Sequence, residues 1–205
     1  VVLLVSTKNH PVLIYSHHFS MYSLIYRFWN LCLIAILILG IGWIMTSDVS
    51  SDGISSASIT APHPDFLAPS FSLLSSDGET YALSDFRGQV ILINFWASWC
   101  PPCRAEMPAM QKVFEEYNEQ GFTILAINST VQDTQTNAHD IIQTNNLTSP
   151  VLLDLEGNAT TAYQIRALPT SFFIDREGII REVVVGGPLP EASLRERIFR
   201  LLDKE

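Results

Sequence analysis

The feature that most constrains this chain is a junction near its middle. Val90–Trp96 reads VILINFW, a nearly unbroken apolar run of the kind that forms a central strand covered on both faces. Trp99-Cys100-Pro101-Pro102-Cys103 follows almost at once, and from Pro101 to about Gln120 the pattern is helical, with Gly121 as its stop. A buried strand that turns directly into a helix requires a layered α/β domain. The two cysteines then fall where the strand's carboxyl end meets the helix's amino end, which is where sites lie in such sheets.

The surrounding pattern extends the layers. Phe71–Leu74 and Thr80–Leu83 flank Ser76-Asp77-Gly78, a hairpin signal, and Leu83–Gly88 reads as a turn or helical corner. Phe122–Asn128 (FTILAIN) is a second buried strand, Thr134–Asn145 a weakly amphipathic helix, Pro150–Asp154 a short strand and Ala159–Tyr163 a short helix. Ser171–Asp175 and Ile179–Val185 form another hairpin around Arg176-Glu177-Gly178. Pro190–Leu202 closes the domain as a helix, with Leu194, Ile198, Phe199 and Leu202 as its apolar positions. Strand and helix alternate through the middle with hairpins at both ends, so the sheet should be mixed and flanked by helices on both faces.

Ahead of this domain lies a segment of different character. Phe28 to Ser47 contains no formal charge, and its centre reads LCLIAILILGIGWIM. A helix of about 20 residues matches the roughly 30 Å hydrocarbon thickness of a bilayer. Arg27 precedes the run and Asp48 and Asp52 follow it, which orients the amino end to the cytoplasm and the domain to the outside. A cleaved signal peptide is the alternative, but the run is long for one and the small residues near Ser56 to Ser58 lie well beyond it. The expected organisation is an extension over residues 1–23, a transmembrane signal-anchor over 24–46, a flexible Ser/Asp/Pro/Gly-rich linker over 47–68 and a domain over 69–205.

The chain opens on Val1, and Met21 stands just ahead of Arg27, where a signal-anchor would start. The expectation is that Met21 is the initiator.

The formal net charge is −9, and the only charges before residue 46 are Lys8 and Arg27. No Lys/Arg cluster exists to hold phosphates, so nucleic acid is excluded as a partner. Three cysteines are too few for a disulfide-stapled fold. With no second C-x-x-C and no histidine at ligand spacing, no metal site and no cofactor are expected. Cys32, inside the apolar run, is read as a small buried hydrophobe.

Cys100 and Cys103 are therefore the chemical candidates. Unpaired N–H groups and the dipole at a helix start favour a thiolate at Cys100, and the thiolate is the nucleophile. Cys103 sits one turn on, close enough to close a disulfide. Two structural cysteines or half a metal site are the alternatives, but the strand-to-helix setting and Trp99 ahead of the pair favour redox exchange.

Asn94-Phe95-Trp96-Ala97-Ser98-Trp99-Cys100-Pro101-Pro102-Cys103-Arg104-Ala105-Glu106-Met107-Pro108 resembles the TlpA/ResA/CcmG branch of the thioredoxin superfamily, of the redoxin or AhpC-TSA-like type. Leu168-Pro169-Thr170-Ser171-Phe172-Phe173-Ile174-Asp175, with Gly178 after it, resembles the same branch. The resemblance covers roughly residues 66–203. It implies a thioredoxin fold with an added amino-terminal hairpin and a central insertion at about Asn128–Thr161. It also implies a thiol–disulfide oxidoreductase, acting on protein disulfides such as those of apocytochrome c and supplied by a membrane donor of the CcdA or DsbD type.

Residue by residue, the resemblance makes Cys100 and Cys103 the redox disulfide and Pro169 the cis-proline facing it. Trp99, Leu168 and Pro169 are assigned to substrate binding. Glu106 matches an acidic residue three places after the second cysteine, able to exchange a proton with Cys103; a solvated surface glutamate is the alternative. Pro108 matches a helix-kinking proline. Asn94 stands where ordinary thioredoxin has a buried aspartate, so a proton acceptor must be sought at Glu106 or in water.

Two other functions share some of these features. A peroxiredoxin has the fold, but it needs a Thr or Ser hydroxyl three residues before its reactive cysteine, where Ala97 stands. A non-enzymatic metal or haem chaperone of cytochrome assembly is the other, although no histidine follows the C-x-x-C to make a covalent haem site. Mass spectrometry of the protein's native amino terminus should find no peptide from Val1 to Ser20 if Met21 is the start; their detection would refute that expectation.

Overall fold

The computed structural model describes residues 18–46 and 60–203, with side chains at 25–40 in the first stretch. The chain divides into two compact units, Val1–Ser55 and Ser56–Glu205.

In the first unit His18–Thr46 forms one helix, α1. From Leu31 to Leu39 it carries no polar side chain other than the Cys32 thiol, and every described side chain on it is exposed. Cys32 is among them, contrary to the expectation of burial: a helix with no apolar partner face has nowhere to hide a thiol. Among the described residues no helix is long and apolar enough to cross a membrane. The side chains described on α1 cover only part of the expected 24–46 span, and the rest of that span, like most of the 1–23 extension, lies outside them.

In the second unit seven strands form one mixed sheet. They are β1 (Ser72–Ser75), β2 (Thr80–Ala82), β3 (Val90–Trp96), β4 (Phe122–Asn128), β5 (Val151–Leu153), β6 (Thr170–Ile174) and β7 (Ile180–Val185), in the order β2-β1-β5-β4-β3-β6-β7. The β3–β4 and β4–β5 pairs are parallel, and the rest are antiparallel. The helices are α2 (Pro101–Tyr117), α3 (Gln135–Thr144), α4 (Asn158–Ala162) and α5 (Glu191–Leu202). Each strand and helix expected in this unit is present with ends that agree to within a residue or two, except that α2 stops at Tyr117, three residues short of Gln120, and Asn118–Gln120 continues as a 3₁₀ turn.

The central strands are buried at every position, as their lack of polar alternation requires. Period-2 geometry then divides their side chains between two cores. Val90, Leu92 and Trp96 of β3 pack with Met107, Met110 and Val113 of α2, with Ala138 and Ile142 of α3, and with Leu194, Ile198 and Leu201 of α5. Ile91, Ile93 and Phe95 pack on the other side with Leu125, Phe172 and Tyr163. There the Tyr163 and Phe172 rings meet edge to face at 4.9 Å between centroids. In α5 the buried stripe is Leu194, Ile198 and Leu201, while Phe199 is exposed. The i, i+4, i+7 row faces the sheet, and Phe199 lies one position off it.

The linker expected over 47–68 ends earlier than residue 68. Ala61 N–H donates to the Leu67 carbonyl at 3.1 Å, Asp65 N–H to that of Ile180 at 2.8 Å, and Ala68 N–H to that of Gly178 at 3.0 Å. Ala68 is buried. Its composition carries no apolar period, but backbone groups alone suffice to pair a segment with the β6–β7 hairpin, and composition does not report them. Residues 47–59 lie outside the described residues.

Phe172→Ala removes a fully enclosed ring that touches both Phe95 and Tyr163. It should cost about 3–5 kcal/mol of unfolding free energy, read as a lower denaturant midpoint at unchanged slope.

Candidate active site

β3 ends at Trp96, and a tight turn follows in which Cys100 N–H donates to the Ala97 carbonyl at 3.1 Å. Cys100 is the N-cap of α2, with extended backbone (φ −88°, ψ 106°). The next two residues, Pro101 and Pro102, have no N–H to offer. The first helical N–H is therefore that of Cys103, and it points at the Cys100 sulfur, 3.3 Å away. An N-cap acceptor is normally a Ser, Thr, Asp or Asn oxygen. Here it is a sulfur, so the helix start is aimed at the atom whose negative charge is wanted.

Cys100 and Cys103 are joined in a disulfide, with Cα atoms 5.3 Å apart. Both are buried, at 3% and 0% exposure. Trp99, at 54%, and Pro101 are exposed at the junction.

The turn before Cys100 is held from outside. Asp133 accepts from Ser98 N–H and Ser98 Oγ, both at 2.6 Å, from Asn128 Nδ2 at 2.9 Å and from Thr134 N–H at 2.8 Å. Burial works against its charge, but the hydrogen bonds from Asn128, Ser98 and Thr134 outweigh it and hold the carboxyl below the usual aspartate range. Trp99 Nε1 donates to the Gln132 carbonyl at 2.8 Å. Sequence reading missed Asp133, since nothing in a polar loop over thirty residues downstream marks it as a partner of Ser98.

Glu106 lies on the face of α2 turned toward the sheet and is 1% exposed, so it is not a solvated helix glutamate. Asn94 on β3 comes up beneath it: its position between Leu92 and Trp96 gives it the same face as they have. Asn94 Nδ2 donates to Glu106 Oε1 at 2.8 Å and to Ser171 Oγ on β6 at 3.0 Å, while Leu189 N–H donates to Oε2 at 2.9 Å. Burial raises the Glu106 pKa, and the bonds from Leu189 and Asn94 pull it back only in part. A carboxyl pushed upward in this way is suited to taking and returning a proton. Asn94 and Glu106, noted separately in the sequence, are one bonded unit.

The Leu168–Pro169 peptide is cis. Leu168 is half-buried and packs against the core that contains both cysteines. Pro169 is buried, has no N–H, and its carbonyl accepts from Gly186 N–H at 2.8 Å. The Leu168 N–H and C=O have no backbone hydrogen-bond partner among the described residues. Pro108, expected as a kinking proline, lies inside α2 on its exposed side. Sequence reading also missed Gly187 and Leu189. Gly186-Gly187-Pro188 marks a loop but not what the loop touches.

A family model described as the AhpC/TSA family matches residues 65–183. The thiol-disulfide oxidoreductase ResA of Geobacillus thermodenitrificans is 36% identical over 119 residues, 58% of this chain and 67% of that protein. The ResA of Halalkalibacterium halodurans is 32% identical over 162 residues, 78% of this chain and 88% of that protein. Among solved structures, a thiol:disulfide interchange protein of the thioredoxin family from Chlorobium tepidum superposes with a TM-score of 0.62 at 31% identity, covering 68% of this chain and 97% of that one.

Because the folded pKa of Glu106 is raised, the folded state holds this proton more tightly than the unfolded chain does. Its contribution to stability is complete below the ordinary glutamate value and is lost as pH rises through the folded value. Denaturant midpoints measured across pH should therefore fall over that window in the wild type and run flatter in Glu106→Gln.

Proposed function

The chain belongs to the AhpC/TSA family and is a thiol–disulfide oxidoreductase of the ResA type, and from that premise we propose that it reduces protein disulfides outside the cytoplasm, those of apocytochrome c among them. Residues 24–46 would hold it on the outer face of the membrane as a single-pass anchor, amino end inside, and a membrane dithiol donor of the CcdA or DsbD type would recharge it.

The observation that carries this reading is the Cys103 N–H aimed at the Cys100 sulfur. In the reduced protein Cys100 attacks as the thiolate. Its sulfur bonds to one sulfur of the partner's disulfide, and the other partner sulfur leaves as a thiolate and takes up a proton. Cys103 then loses its proton, to Glu106 one turn further along α2 in this proposal, and attacks the Cys100 sulfur. The partner's second sulfur departs, the Cys100–Cys103 bond closes, and two electrons have passed to the partner. Leu168 would present its backbone to the partner's extended segment during the exchange, with Trp99 beside it.

The reducing direction is supported by the buried Asn94–Glu106 pair, whose carboxyl would accept the proton of the resolving thiol. The modest insertion, with a ten-residue helix and a three-residue strand, also supports it, since it adds no large helical lobe.

Cys100→Ser should abolish insulin-disulfide reduction. Cys103→Ser, expressed in cells, should accumulate mixed disulfides with exported proteins, identified by mass spectrometry, with haem-attachment C-x-x-C-H peptides among them. A Cys103→Ser protein that traps nothing, or that traps only cytoplasmic partners, would overturn the proposal.

A further inference from the structure

The loop between β7 and α5 touches both halves of the site. Gly186 N–H donates to the Pro169 carbonyl at 2.8 Å, and three residues later Leu189 N–H donates to Glu106 Oε2 at 2.9 Å. The loop therefore spans from the backbone proposed to dock substrate to the carboxyl proposed to take the proton.

Between these two ties sits Gly187. A Cβ placed there would lie 2.7 Å from Pro169 Cγ and 2.8 Å from Glu106 Oε2. Carbon atoms in contact want about 3.5–4.0 Å. Neither neighbour is free to yield: Pro169 is a rigid, buried ring, and the Glu106 carboxyl is pinned by Asn94 on one oxygen and Leu189 on the other. The contrast with Gly186 is instructive. Gly186 has φ +88° and open space around it, so it is glycine for conformation. Gly187 lies outside the left-handed region, so its backbone accepts an L-residue, and it is glycine for space alone.

We propose that Gly187 is a positioning residue, whose missing side chain lets the Gly186–Leu189 loop couple Glu106 to the Pro169 docking segment, so that the proton state of one is felt at the other. The inference rests on the roles proposed above for Glu106 and Leu168-Pro169. Charge on Oε2 strengthens the bond from Leu189 N–H, and protonation weakens it. The pull is transmitted through Gly187, which sits against Pro169, to Gly186 and its bond to the Pro169 carbonyl. The groups bonded around Glu106 are Asn94 from β3 with Ser171 of β6 behind it, and Leu189 N–H from the loop; Cys103 stands three residues earlier on the same helix, and no charged side chain acts on Glu106. Its carboxyl is thus the charge that changes at this point.

The test uses the full chain in Gly187→Ala, Glu106→Gln and the double variant, with insulin as the protein disulfide. Gly187→Ala forces the loop away from Glu106 and exposes the carboxyl. The KM for insulin should rise several-fold, and the acid inflection of kcat/KM should move down in pH. In the Glu106→Gln background the same glycine change should raise KM but move no inflection. An unaltered KM and inflection would overturn the proposal, as would an inflection shift that persists without Glu106.

A second measurement needs no glycine variant. In the wild-type protein the Leu189 and Gly186 amide resonances should titrate at one common pH, and both should be flat in Glu106→Gln. A Gly186 amide that ignores the titration seen at Leu189 would sink the coupling. Cys100→Ser separates the two ideas: retained insulin reduction in that variant defeats the proposed function, whereas the amide titration reports the loop alone.

Discussion

Strand β3 has no side turned to water, and the rest of the domain follows from that constraint. Seven consecutive buried residues need cover above and below. The alternation of a strand sends Val90, Leu92 and Trp96 under α2 and α5, and sends Ile91, Ile93 and Phe95 against Tyr163 and Phe172. The same alternation carries one polar residue, Asn94, into the α2 face. A buried amide must find partners. Glu106 and Ser171 supply them, so the strand that organises the core also fixes the carboxyl in the site.

The site sets two opposing environments within two turns of a helix. At Cys100 the only helical N–H in the first turn points at sulfur and favours charge there. At Glu106 enclosure works against charge, and two hydrogen bonds do not restore it. The first setting favours a negative charge and the second disfavours one. A dithiol that must lose one proton early and another late is well served by that division.

Much of the fold was legible in the sequence because its signals were local. Continuous apolar runs marked β3 and β4, Gly and Asp marked the turns, and Gly121, with φ +85°, ended the 3₁₀ turn Asn118–Gln120 that follows α2. The cysteine pair was legible for the same reason, since its meaning depends on a strand before it and a helix after it. What was not legible depended on distant partners. Asp133 meets Ser98, Leu189 meets Glu106, and residues 60–68 meet the β6–β7 hairpin through backbone atoms, whose hydrogen bonds leave no trace in side-chain pattern. The burial of Glu106 was ambiguous on a helical wheel, and only the position of Asn94 on the facing strand decided it. Phe199 shows the opposite error: an apolar residue near a helical stripe was assigned to it, and geometry placed it outside.

The turn ahead of Cys100 is clamped by Gln132 and Asp133, which belong to a segment added between β4 and β5. The reactive pentapeptide is therefore not self-contained. Transplanted into another scaffold of the same topology, Trp99-Cys100-Pro101-Pro102-Cys103 would arrive without the carboxylate that orders Ser98 and without the carbonyl that seats the indole. Its chemistry would then be that of the host. The behaviour of these sulfurs is a property of two separate stretches of chain that have to be inherited together.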